Sequence, residues 1–202
     1  MMFRVFTSAL IGAMVAFAWS FVSWMVLPWH DKAMNKFNNQ EFVTWVIKEN
    51  APKSGVYISP YHDTDTANLT PDEIKHNIES QKSAMIKGPF IFTQVRLKGV
   101  DPTSPWIYLY SFLTQFVGAG LISWILLQLD ENHGYGKRLM VTAIIGLTVG
   151  ILGLVPSWIW FGAGIRYTAV GIGDLVATWF LSGLFLAAFV KPRKSHTREL
   201  MM

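Results

Sequence analysis

The chain has 202 residues, of which 51% are hydrophobic and only 15% charged, and its formal net charge is +4. A soluble domain carries about 25% charged residues, so this balance points to a membrane protein, and nine Trp with fourteen Phe fit aromatic girdles at the two membrane surfaces. The absence of cysteine excludes thiolate catalysis, iron–sulfur clusters, cysteine-ligated zinc and disulfides.

The first apolar segment, residues 3–27, is long enough to cross a hydrocarbon core of about 30 Å as a helix. Arg4 and the Ala16-Phe17-Ala18 run resemble a signal peptide, but apolar sequence continues through Leu27, so an uncleaved anchor is expected. Ser8, Gly12, Ala16 and Ser20 recur every four residues and make a small-residue stripe on which another helix can approach. Trp19, Trp24 and Trp29 crowd the outer end, and Pro28 is expected to close the helix.

Residues 29–104 are polar, and their acids and bases balance. Periodicity predicts a helix over 40–49 capped by Asn38 or Asn39, with Phe42, Trp45 and Val46 on one face. A strand over 54–59 follows. Thr70-Pro71-Asp72-Glu73 predicts a helix start, with Thr as cap, Pro at the first position and Glu closing a capping box. Gly88-Pro89 ends that helix and a second strand covers 90–97. The order is α-β-α-β, a small α+β domain whose two-stranded sheet is marginal alone. The loop between carries His62, Asp63 and Asp65, and His30-Asp31 follows the first segment. Such residues can bind a divalent metal, although adjacent positions in a polar loop are not a diagnostic spacing. No nucleophile elbow, His-Glu-x-x-His or phosphate loop occurs. No cofactor and no catalytic residue is expected.

Three further apolar segments follow at 106–129, 139–161 and 171–190, each again long enough to span. Trp106, Tyr108 and Tyr110 form an outer belt on the second, which also carries Gln115. Gly146, Gly150 and Gly153 suit close helix packing on the third, where Pro156 predicts a kink. In the fourth, Asp174 is the one ionisable residue at membrane depth, about a turn in, with Arg166 in the preceding loop. Two readings stand: a contact of Asp174 with Arg166 or Tyr167 that fixes the loop, or a proton or cation site facing a cavity.

Arg4, Lys137, Arg138 and the basic tail Lys191, Arg193, Lys194 and Arg198 fall on one side of a four-span chain. The positive-inside rule then places both termini in the cytoplasm and residues 29–104 outside. The surplus charge thus reports topology and not nucleic-acid binding. The expected organisation is a first transmembrane helix over 1–28, an extracytoplasmic α+β domain over 29–104, a three-helix transmembrane block over 105–190 and a basic cytoplasmic tail over 191–202.

Trp24-Met25-Val26-Leu27-Pro28-Trp29-His30, Pro52-Lys53-Ser54-Gly55-Val56-Tyr57 and Gly88-Pro89-Phe90 together carry a resemblance. The chain resembles a group of small bacterial inner-membrane proteins with an N-terminal anchor, an extracytoplasmic insert containing Ser-Gly-Val-Tyr, and a C-terminal three-span block. The resemblance implies a bacterial inner-membrane location and carries no activity. Beyond the lipid bilayer, the expected partner is another membrane protein or further copies of the chain. The function expected first is that of a non-catalytic accessory, scaffolding or assembly subunit. A small oligomeric transporter or channel around Asp174 comes second, and a metal-dependent enzyme or sensor at the His62 loop third.

Overall fold

The computed structural model describes residues 2–61, 67 and 69–192, with side chains from residue 5 onward. Its helices are α1 (Met2–Phe21), α2 (Trp29–Ala33), α3 (Gln40–Asn50), α4 (Pro71–Lys87), α5 (Pro105–Leu127), α6 (Tyr135–Phe161) and α7 (Ile165–Phe189), with strands β1 (Gly55–Ser59) and β2 (Ile91–Val95). Four helices are long and apolar enough to cross a membrane: Val5–Val26, Pro105–Leu127, Tyr135–Phe161 and Ile165–Phe189. The contacts divide the chain into two units, one of residues 1–35, 101–158 and 164–202, the other of residues 36–100 and 159–163.

In the helical unit α1 packs against α5 and α7. The buried core holds Ala9, Ala13, Ala119, Ile122, Leu126, Trp179, Leu186 and Val190. Small residues make these approaches possible. A Cβ at Gly12 would stand 2.8 Å from Leu186 Cδ2, and the Gly12 carbonyl accepts a 3.0 Å bond from Ser182 Oγ. On α6, a Cβ at Gly146 would stand 2.6 Å from the Leu175 carbonyl oxygen, and one at Gly150 3.2 Å from Ile172 Cα. Gly183 lies against Thr142 with no room for a side chain.

The first span departs from a regular helix. Val22–Val26 is a π-helical turn, closed by a 2.9 Å bond from Leu27 N–H to the Val22 carbonyl. Leu27 is then extended at ψ 132°, as a residue before proline prefers. Pro28 does not merely end the helix: it caps the short helix α2, and residues 29–35 belong to the helical unit, not to the insert. The fourth span begins at Ile165, six residues earlier than expected at 171, because Gly164 serves as its cap and the Ile165-Arg166-Tyr167-Thr168 turn is helical. α6 likewise begins at Tyr135 rather than 139 and runs on through Pro156 to Phe161.

The second unit follows the α-β-α-β order. Asn39 caps α3 by accepting from Phe42 N–H at 2.9 Å. Thr70 and Glu73 complete the capping box of α4, with Pro71 in the first turn. Glu73 is held below the ordinary carboxylate range, first by the Thr70 backbone N–H and then by the Thr70 hydroxyl. β1 and β2 are antiparallel, with Gly55 opposite Val95 and Ser59 opposite Ile91. The unit buries little: Ala51 is its one buried hydrophobic among the described residues. Phe92 stacks on Phe161, ring centres 4.2 Å apart.

Candidate functional site

The helical unit gathers its polar groups where the π-turn ends. Asp174 lies nine residues beyond the first residue of α7, about 14 Å along the axis, not one turn from its mouth. Its partners are neither Arg166, which is exposed, nor Tyr167. Asp174 Oδ1 accepts a 2.7 Å bond from Trp19 Nε1 of α1. Its Oδ2 stands 3.4 Å from His30 Nε2 of α2, with the two side chains 13% and 3% exposed. The two neighbouring elements α1 and α2 therefore meet the distant α7 at one carboxylate.

His30 is enclosed by rings. Trp24 stacks flat on it, centroids 3.8 Å apart and 8° from parallel, and Trp29 meets it edge-on at 5.5 Å. Trp19 and Trp29 in turn make an edge contact at 6.2 Å. Trp29 Nε1 donates to both the carbonyl and the hydroxyl of Ser23, at 3.0 and 3.1 Å. Ser23 Oγ lies 3.1 Å from His30 Nε2. The π-turn matters here because it rotates Ser23 and Trp24 relative to the rest of α1. Such turns recur at functional positions in helices.

His30 Nε2 is within reach of both the Asp174 carboxylate and the Ser23 hydroxyl. Nδ1 of His30 is buried and has no hydrogen-bond partner among the described residues. Ser23, His30 and Asp174 thus include the residue types of a nucleophilic relay but not its wiring. A relay needs the carboxylate on one ring nitrogen and the hydroxyl on the other. Here both meet Nε2. The arrangement joins α1, α2 and α7 and retains one unspent polar atom.

A second polar junction closes the opposite end of α7. Arg138, 9% exposed, donates from Nε to the Ala187 carbonyl at 2.9 Å and from Nη1 to the His133 carbonyl. Tyr135 donates to the Leu184 carbonyl at 3.1 Å. A cation against the last carbonyls of a helix complements its dipole. Arg138, read from sequence as a flanking charge, is turned inward.

The remaining sequence candidates fall as follows. Ser8, Gly12 and Ala16 are buried on α1. Ser20, half-buried, donates to the Ala16 carbonyl at 2.9 Å and accepts from Gln115 Nε2 at 3.4 Å. Gly146 and Gly150 face α7, while Gly153 has no atom within 4 Å of where a Cβ would stand. Arg166 and Asp174, placed together by sequence reasoning, are not paired. His62, Asp63 and Asp65 lie outside the described residues. Among the described residues no group of three or more His, Asp or Glu stands close enough to hold a metal ion. Trp19, Ser23 and Trp29 were not singled out for this role, and His30 was weighed only beside Asp31.

No protein-family model, curated protein or solved structure matches the chain.

Proposed function

We propose that the chain is a multi-pass integral protein of a bacterial inner membrane that works by contact, as an accessory or assembly subunit or as a self-associating oligomer. In this reading the four long helices span the bilayer, both ends of the chain lie in the cytoplasm, and residues 36–100 form a surface outside it. One observation carries the contact role. The α-β-α-β unit leaves its large apolar side chains uncovered, with Phe42 58%, Trp45 57% and Ile86 78% exposed. Uncovered apolar surface of this kind is what association buries. The outward faces of the spans support the membrane placement, since no more than 33% of any span's most apolar stretch is buried.

The test is purification in mild detergent followed by native mass spectrometry. Wild-type protein is expected as an oligomer or a defined complex, and a Phe42→Ser/Trp45→Ser variant as a monomer with unchanged helix content. Wild-type protein recovered only as a monomer refutes the proposal. The Asp174–His30 pair favours a second reading, a small oligomeric transporter or channel, because ionisable groups within spans mark ion and proton paths. Under that reading Asp174→Asn abolishes a proton or cation flux in reconstituted vesicles, and equal flux with and without the protein rules it out.

A further inference from the structure

A cleft of about 370 Å³ opens between the π-turn end of α1 and the first half of α5. Its size falls in the range of about 300–1,000 Å³ that small-molecule sites occupy. It does not belong to the Asp174 cluster, although Trp24, whose ring stacks on His30, also lines it. The lining is unusual for a span surface because it is neither purely apolar nor charged. Phe21, Trp24 and Tyr108 contribute rings, and Ser20, Ser111 and Gln115 contribute polar groups.

The polar groups follow one face of α5. Ser111 and Gln115 are one turn apart, about 6 Å along the axis. Gln115 lies ten residues beyond Pro105, about 15 Å along the helix. Its amide has two N–H donors, and among the described residues their only acceptor is Ser20 Oγ at a long 3.4 Å. Ser20 is itself committed as donor to the Ala16 carbonyl. The cleft therefore offers hydrogen-bond donors at two depths, and no Lys, Arg, Asp or Glu lines it.

These features define the occupant. On the membrane-spanning reading, the cleft runs from the outer belt at Trp24 and Tyr108 inward to Gln115 and opens toward lipid. No cation lines it, so a phosphate or carboxylate would be unpaired at the depth of Gln115. An amide donor at the inner end suits an acceptor-only oxygen on a small ring, and the aromatic side chains suit a flat face. We propose that this cleft binds a membrane quinone. Gln115 donates to one of its carbonyl oxygens, its ring lies among Phe21, Trp24 and Tyr108 beside Ser111, and its hydrocarbon tail runs out into lipid.

The experiment titrates the full chain, purified in detergent, with 2,3-dimethoxy-5-methyl-6-decyl-1,4-benzoquinone and follows quenching of tryptophan fluorescence. Saturable one-to-one quenching is expected, and decylbenzene, which has the tail without carbonyls, does not compete. Gln115→Leu weakens binding about tenfold, the loss of one hydrogen bond of about 1.4 kcal/mol. Ser111→Phe, which fills the cleft from a lipid-facing position, abolishes saturation. Thr148→Leu, on an exposed face of α6, leaves binding unchanged. Quenching that rises linearly and equally in all variants reports partition into the micelle and overturns the proposal. Saturable binding indifferent to both cleft substitutions places the site elsewhere and also overturns it. Alkaline carbonate extraction separates this failure from that of the underlying reading: protein released from membranes refutes the spanning topology, and protein retained with linear quenching refutes only the quinone site.

Discussion

The two units of this chain solve opposite problems. In the helical unit the closest approaches are made by glycine, alanine and serine, and long apolar side chains point outward, as at Leu121, Met140 and Leu152. On the membrane-spanning reading there is no hydrophobic gain to collect between the helices, so van der Waals contact and polar bonds hold the seams. In the α-β-α-β unit the local devices are all present, with two caps and an antiparallel pair of strands. Its core is nearly missing, and large apolar residues stand exposed. One unit is complete in its seams, and the other is complete in its backbone bonding but unfinished in its packing. The comparison teaches that exposed apolar side chains carry different meanings by context: on the membrane-spanning reading those of the long helices face lipid, while those of the α-β-α-β unit are the surface that the proposed association would cover.

Substitutions can sharpen that contrast. The largest effect is expected for Gly146→Leu. Its Cβ meets a backbone carbonyl at 2.6 Å, where no flexible side chain can yield, so overpacking costs about 3 kcal/mol or more. Thermal unfolding in nanodiscs would show a strongly lowered midpoint. Asp174→Leu comes next, because it strands the Trp19 N–H and removes the carboxylate beside His30. At the strength of interhelical polar contacts in membranes the loss is about 2 kcal/mol, and double-mutant cycles with Trp19→Phe measure how much belongs to each partner. Thr70→Ala removes the cap of α4 at a cost of about 1 kcal/mol, read as faster amide exchange in residues 72–74 alone.

Acid should loosen the same cap. The carboxyl of Glu73 is held low in the folded chain, so its contribution is present above the unfolded value, about 4.3, and disappears as pH falls through the lower folded value. Protection of the amides at the start of α4, taken relative to the intrinsic exchange rate at each pH, is therefore expected to fall below about pH 4, and Glu73→Gln removes most of that pH dependence. The smallest effect is expected at Gly153→Ala, where nothing lies within 4 Å. The added helix propensity leaves stability equal or higher by about 0.5–1 kcal/mol, while the same change at Gly150, against Ile172 Cα, lowers it.

Local chemistry was legible in the sequence and long-range pairing was not. Thr70-Pro71-Asp72-Glu73 encodes its own bonds within four residues, and the element order of the insert follows from such signals. The depth of Asp174 was misjudged because Arg166 and Tyr167 lower the apolar density of the first turn of α7 without breaking its helix. The partners of Asp174 were missed for a different reason. His30 and Trp19 lie 144 and 155 residues away, and no periodicity records which faces meet after folding. The nearest local signal was a histidine and a tryptophan placed around a proline just past an apolar run. The inward turn of Arg138 was hidden likewise, since a basic residue beside a span reads first as a flank.

The single wide turn at Val22–Val26 works as a phase adjuster. Each residue of an α-helix advances about 100° around its axis, so one residue more or fewer in this turn swings everything beyond it by that angle. Deleting Val22 would restore regular hydrogen bonding to the first span and make it, as a helix, better. It would also turn Trp24, and the chain leading to Trp29 and His30, away from Asp174. The local irregularity is what sets the azimuth at which the first span meets the last.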